Sequence, residues 1–518
     1  MYKGRVIGKS VTEIYFRSYY TEELFLGDIL VAEDLERNIR FLLRVVDVTY
    51  GAEASDPDWV SRTAGNMMLM DSHDQSFDLY DKERRLFKIG QCASLGYIKK
   101  KRFLKPKTIP SHFSCITHPT LEDFEFLKAY MGDIVIGKLR SGEDTLDFEV
   151  GIKGELFPLH IGIFATTGMG KSNLMKVLAG AVMENGNYAL LLIDPHGEYY
   201  DGGGKPGSKG LRDLPVAPDR LRVYSSRRLA GPHNTLKLSS DEITLADLTQ
   251  IYTFSAPQYE AALSAEYYYG KNWLTSVASH DISSLANDIP GNFFEATLTV
   301  IQRRAESILR LSSVHGDPKV SITSSVLRDL NEGKVVLIDA SNMTSMEELL
   351  ISSVLCRALF ENNKKAYTDS KKFAKIRPTL IVMEEAQRVL GKNNIPASSV
   401  FAQIAREGRK FKTGLCAVSQ QPKLIDEELL SQFNTLFILG LADEKDRSIL
   451  RNSAKQDLSQ LGNEIQTLMA GEALISSPDT PFAIPARIHL FEEWLKTREE
   501  SAASHGQKQP SMIDKGFF

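Results

Sequence analysis

The sequence predicts an α/β protein: a parallel sheet covered by helices on both faces and carrying a nucleotide loop, interrupted by a block of helices and preceded by a small β-barrel. Three observations predict it. His160–Ser172 runs from an apolar strand through small residues to Gly170-Lys171-Ser172 and into a helix. Beyond it, apolar runs ending in acids alternate with helical stretches long enough for parallel crossovers. The first ~95 residues instead hold short β-branched and aromatic segments separated by turns.

The 518 residues have room for two to four domains, and 42% hydrophobic, 25% charged residues and a net charge of −4 describe an ordinary globular chain. Bulk charge therefore gives no support to a nucleic-acid partner, which has to be argued from local patches. Cys92, Cys115, Cys356 and Cys416 show no paired spacing, which suggests a reducing compartment and no zinc site. With no apolar run of about 18 residues and no signal-peptide order, a cytoplasmic protein without a membrane partner is expected.

In chain order, Arg5-Val-Ile-Gly, Ile14-Tyr-Phe, Asp28-Ile-Leu-Val-Ala, Phe41-Leu-Leu-Arg-Val-Val-Asp-Val and Leu86-Phe-Lys-Ile-Gly suit the strands of a barrel, with Met67, Met68 and Met70 read as core ahead of a sticky partner surface. Lys99–Lys107 places six cations in nine positions, either a solvated interdomain linker or a contact to a phosphate backbone. Residues 133–150 read as a hairpin leading into the nucleotide domain. Tyr188–Asp194, Leu221–Tyr224, Lys334–Asp339, Thr379–Glu385 and Thr413–Ser419 read as strands, and Met346–Lys364 and Ala397–Lys410 as helices. The expected division is 1–110 for the barrel and basic linker, 111–240 and 321–492 for the two parts of the core, 241–320 for the helical insertion, and 493–518 for a mobile tail.

A strand that breaks into a glycine-bearing loop before a helix turns backbone N–H groups around phosphate oxygens, with the positive helix end behind them. Thr166, Thr167, Gly168, Met169, Gly170, Lys171, Ser172 and Asn173 supply that cradle; Lys171 reaches the β/γ-phosphates and Ser172 holds Mg²⁺. The first glycine of the usual pattern is Ala165 here. Asp194, Asp339 and Glu384-Glu385 end strands whose carboxyl ends open on one crevice. Hydrolysis needs one carboxylate for the magnesium shell and another for the attacking water, and only Glu384 and Glu385 form a pair. The bland alternative is an acidic helix start at Glu385. Asp194 is the next metal candidate, ahead of Asp339. Arg406, Arg409 and Lys410 fall at i, i+3, i+4 opposite the apolar stripe of their helix, and the spacing leaves open a solvated face or an arginine finger for a neighbouring subunit. Gln420 and Gln421, at a strand end, are candidates to bond the γ-phosphate.

The succession Gly-Ile-Phe-Ala-Thr-Thr-Gly-Met-Gly-Lys-Ser, Leu-Leu-Leu-Ile-Asp-Pro-His-Gly-Glu-Tyr, Leu-Ile-Val-Met-Glu-Glu-Ala-Gln, Arg-Glu-Gly-Arg-Lys and Ser-Gln-Gln-Pro resembles the HerA family of prokaryotic, mainly archaeal, DNA translocases in the HerA/FtsK superfamily. The resemblance covers nearly the whole chain. It implies a RecA-like P-loop ATPase core with a helical-bundle insertion and an N-terminal barrel, assembled as a homo-hexameric ring. It further implies ATP and Mg²⁺ as cofactors, translocation or unwinding of double-stranded DNA, and a NurA-type nuclease docked on the barrel during DNA-end resection for recombinational repair. Carried over by motif, Lys171 and Ser172 bind phosphate and Mg²⁺, Glu384 stands at the usual Walker B aspartate and Glu385 activates water. Gln420 senses the γ-phosphate, and Arg409 is the favoured trans finger with Arg406 its rival. Asp194 and Glu198 belong to the Asp-Pro-His-Gly-Glu-Tyr signature. Two other readings remain: a translocase for protein or conjugative single-stranded DNA, and a nuclease-loading scaffold without motor activity.

Overall fold

The computed structural model describes residues 2–53, 58–69, 82–204, 207–392 and 399–506. The chain forms two compact units, one of Met1–Met131, Gly137–Val150 and Lys455–Arg487, the other of Gly132–Ile136, Gly151–Ala454 and Ile488–Phe518. The first unit therefore takes in most of the 133–150 hairpin and the segment from 455, which the sequence reading assigns to the core.

In the first unit, β1 (Tyr2–Lys9), β2 (Ile14–Tyr19), β3 (Ile29–Asp34), β4 (Ile39–Ala52), β5 (Leu86–Lys99), β6 (Arg102–Leu104) and β7 (Cys115–Thr117) form one sheet of order β2-β1-β7-β3-β4-β5-β6. Pairing of β2 with β5 closes six of these strands into a barrel. Alternation does the filling: Leu30 and Ala32, then Phe41, Leu43 and Val45, point inward onto Val6, Phe16 and Ile116. Breaks in register at Leu42/Leu43 and Val45/Asp47 bend the long β4–β5 ribbon. The barrel is already full, so the helix Trp59–Leu69 buries no side chain and Met68 is 82% exposed. Met67 and Met68 are thus not core, and Met70 lies outside the described residues. Lys99–Arg102 is the tight turn between β5 and β6, with Lys100 and Lys101 at positive φ, rather than an interdomain linker. The unit also holds a hairpin in which Glu472–Ile475 pairs with Ile484–Arg487.

The chain then runs through β8 (Ile134–Ser141) and β9 (Asp144–Ile152) into the second unit. Its strands are β10 (Ile161–Phe164), β11 (Ala189–Asp194), β12 (Leu221–Ser225), β13 (Asn234–Thr235), the short β14 (Leu238–Ser239) and β15 (Val314–His315), and β16 (Val335–Asp339), β17 (Thr379–Met383), β18 (Thr413–Ser419) and β19 (Thr435–Ile438). The main sheet runs β13-β12-β16-β11-β17-β18-β10-β19, and every pair in this run is parallel. Parallel order demands crossovers, and the helices Lys171–Asn185 and Ser345–Tyr367 are two of them. All carboxyl ends therefore open on one edge.

The paired β14 and β15 flank the helical insertion, whose longest helices are Ala256–Tyr269 and Glu295–Leu309. Arg357 fastens it, with its guanidinium 2.7 Å from the buried Asp247 carboxylate. Two expected boundaries move. The helix expected over Ala397–Lys410 is Val400–Glu407 followed by a 3₁₀ turn, Gly408–Phe411, while Ala397 lies outside the described residues. Arg406 thus ends the α-helix, and Arg409 and Lys410 sit on the turn. Where a tail from 493 is expected, a helix spans Phe491–Gly506, and its Trp494 packs at Gly180, where a Cβ would lie 2.7 Å from the indole.

Candidate functional site

The loop after β10 turns on Gly168 and Gly170, at φ of 83° and 99°, which favour glycine, and Gly170 caps the helix Lys171–Asn185. Ala165 takes no left-handed angle, so alanine costs the turn nothing at that position. Thr166 is anchored from both its N–H and its hydroxyl to the Gly440 carbonyl, each at 3.0 Å. The four N–H groups of a first helical turn have no partner within the helix, and here they begin at Lys171, where a phosphate would meet them.

A cleft of about 590 Å³ brings Gly168, Lys171, Ser172, Glu198, Glu384, Glu385 and Gln420 together. Lys171 bridges the loop by donating to the Ala165 and Thr166 carbonyls at 3.1 and 3.2 Å. Burial pulls its pKa down, while the Glu384 and Glu198 carboxylates push it up. Thr167 donates its hydroxyl to Gln420 Oε1 at 2.6 Å, so the end of β18 reaches the phosphate loop. Glu384 lies just past β17 and accepts the Tyr199 hydroxyl; burial raises its pKa, Tyr199 opposes that, and Asp194 adds to it. Glu385 holds φ at 48°, a left-handed angle that costs a non-glycine residue about 1 kcal/mol or more. Its side chain is 45% exposed and lies 3.8 Å from Arg388. Its partly exposed carboxylate lines the cleft.

Several expected ligands are spent elsewhere. Asp194 lines the cleft, but Oδ1 accepts the N–H groups of His196 and Gly197 at 3.1 and 2.7 Å, and Oδ2 that of Tyr199 at 3.0 Å. It is held as the hub of its own loop. Asp339 accepts from Arg227, Ser225 and Ser341. Asn173 uses its amide on the His489 carbonyl and the Phe491 N–H, each at 2.8 Å, so its side chain serves packing. Arg406 pairs with Glu428 at 3.1 Å, whereas Arg409 is exposed and has no ion pair among the described residues. Neither arginine lines the cleft.

Tyr199, His196 and Gln387 line the cleft without having been singled out. The Asp-Pro-His-Gly-Glu-Tyr signature contains His196 and Tyr199, and the Glu-Glu-Ala-Gln run contains Gln387. The hard oxygens of Ser172 and Glu384 beside the phosphate loop fit a magnesium ion, which prefers few protein ligands and keeps phosphate and water as the rest.

A phosphate loop on β10, an all-parallel sheet run with helical crossovers, and β18 standing between β10 and the acid-ended β17 define a RecA-like P-loop ATPase. Residues 134–359 match the family model described as helicase HerA, central domain. The chain is 28% identical to the DNA double-strand break repair helicase HerA of Saccharolobus solfataricus, over 97% of each chain. It is 29% identical to the protein of the same name from Sulfolobus acidocaldarius, over 71% of this chain and 74% of that one. Among solved structures, plasmid coupling protein TrwB in complex with ADP and Mg²⁺ superposes with a TM-score of 0.45 at 14% identity, covering 66% of this chain and 88% of that chain. The chain is thus similar to the HerA helicases, and to one of them along almost its whole length.

Proposed function

We propose that the protein is an ATP-driven DNA translocase or helicase of DNA double-strand break repair. The observation that carries this reading is the convergence of Lys171, Ser172, Glu384, Glu385 and Gln420 on one cleft, in a chain similar end to end to a HerA helicase. Lys171 and the loop N–H groups hold the β- and γ-phosphates of ATP, and Ser172 with Glu384 holds Mg²⁺, which neutralises the charge developing on the phosphates. Glu385 orients the attacking water and accepts its proton, and Gln420, already bonded to Thr167, responds to the γ-phosphate. Arg409, unpaired among the described residues, reaches the cleft of the next subunit in a hexameric ring; Arg406 is the rival. The polymer is double-stranded DNA threaded through that ring, and a NurA-type nuclease docks on the barrel to resect DNA ends. No helix among the described residues is long and apolar enough to cross a membrane.

The test is ATP hydrolysis with and without linear duplex DNA at low and moderate salt, with Lys171→Ala as control. Stimulation by duplex that weakens with salt and vanishes in the control supports a motor gripping phosphates. Hydrolysis indifferent to DNA, even with the nuclease present, refutes it.

A further inference from the structure

β11 delivers the chain into the turn Asp194–Tyr199, and its three N–H bonds to the Asp194 carboxylate fix that turn from inside. Gly197, at φ 69°, gives it the reversal; a Cβ there would lie 2.8 Å from the Arg227 guanidinium. With the backbone so held, two adjacent side chains leave in different directions. Tyr199 is buried and donates to Glu384, the acid after β17. Glu198 is exposed and reaches the phosphate loop, where its Oε2 accepts the Ser172 hydroxyl proton at 2.7 Å.

A serine hydroxyl has one proton and two lone pairs. If it is to give a lone pair to a metal, the proton has to point elsewhere, and an acceptor on the far side decides the matter. Outer acceptors of this kind orient the groups that bind a metal and raise their basicity. We propose that Glu198 is the residue that orients Ser172 toward Mg²⁺, and that Asp194 contributes only by holding the turn that aims it. This rests on the nucleotide reading above and adds to it a positioning residue that acts through Ser172. Tyr199 makes the same turn touch Glu384, so one rigid loop spans both candidate magnesium ligands.

The experiment is binding of a fluorescent, non-hydrolysable ATP analogue to the full chain, titrated with Mg²⁺ and repeated in chelator. Glu198→Ala is expected to leave binding in chelator unchanged and to raise the Mg²⁺ concentration at half-maximal gain by about 10- to 100-fold. Glu198→Gln, which keeps a carbonyl acceptor, falls between Glu198→Ala and wild type. In a Ser172→Ala background, removing Glu198 is expected to shift the Mg²⁺ midpoint by less than twofold, because the group it orients is gone. A purely structural role for Glu198 predicts instead equal losses with and without Mg²⁺, and additive effects in the double variant. Either of those, or an unmoved midpoint in Glu198→Ala, overturns the proposal. A wild-type chain that binds no analogue at all overturns the nucleotide reading itself, so the two failures are distinct.

Discussion

His160 immediately precedes the strand that carries the phosphate loop, and it is buried to 4% exposure at a positive φ of 64°. Its Nδ1 accepts the Leu415 N–H at 2.9 Å, its other ring nitrogen faces the Ala405 carbonyl, and its ring stands edge-on to Phe433. Burial holds its pKa down to about 4, against an ordinary 6.5. The folded chain therefore keeps this imidazole neutral at pH values where the unfolded chain protonates it. The stabilisation is complete above pH ~6.5 and is lost as pH falls toward 4, amounting to about 2 kcal/mol by pH 5 and about 3 kcal/mol by pH 4. His160→Asn keeps a side-chain acceptor and removes the titration, at a backbone of φ 64° and ψ 145° that strains either residue. It costs about 1 to 2 kcal/mol at pH 7.5 for lost packing. Urea unfolding followed by circular dichroism at pH 7.5, 6 and 5 gives the difference between wild type and variant, in which all other titrating groups cancel. That difference is expected to shrink by about 2 kcal/mol between pH 7.5 and 5. A difference independent of pH refutes the buried neutral imidazole.

Glu385→Gln is expected to bind the ATP analogue within twofold of wild type and to lower kcat for hydrolysis by at least about 100-fold; unchanged turnover removes it as the base. Arg409→Ala is expected to bind nucleotide and assemble normally but to lose about 10³-fold in turnover. Mixing it with Lys171→Ala subunits should restore part of the activity, since some interfaces then pair an intact phosphate loop with an intact finger. Full activity of pure Arg409→Ala moves the role to Arg406. Gly414→Ala places a Cβ 1.9 Å from the Phe157 carbonyl oxygen, backbone against backbone, and is expected to lower unfolding stability by about 2 kcal/mol or more; a wild-type urea midpoint contradicts that close approach.

The phosphate loop and the acid-ended strands were legible because their chemistry is contiguous: a few neighbouring residues set strand, turn, cation and hydroxyl. Which partners each acid already holds was not. Asp194 and Glu384 both follow apolar runs, but Asp194 precedes Pro195-His196-Gly197, an Asx-type turn sequence whose N–H groups fold back onto the carboxylate. That signal was present and outweighed by strand position. Glu385 carries no such mark, since a left-handed glutamate is imposed by its surroundings and not by its own preference. The helix bearing the arginines stopped early for a local reason, as a Cβ at Gly408 would lie 2.1 Å from the Thr413 carbonyl oxygen where the chain turns into β18. The grouping of 455–487 with the barrel depends on partners far apart in sequence. Glu464 is buried between Arg44, 3.0 Å away, and Arg140, and these three come from separate stretches of the chain. Removing one partner of such a buried set costs about 3 to 5 kcal/mol, so the contact constrains the fold strongly. Arg44 stands in the apolar run Phe41-Leu-Leu-Arg-Val-Val, which marks it as buried, but Arg44 and Glu464 are 420 positions apart and no window of the sequence pairs them.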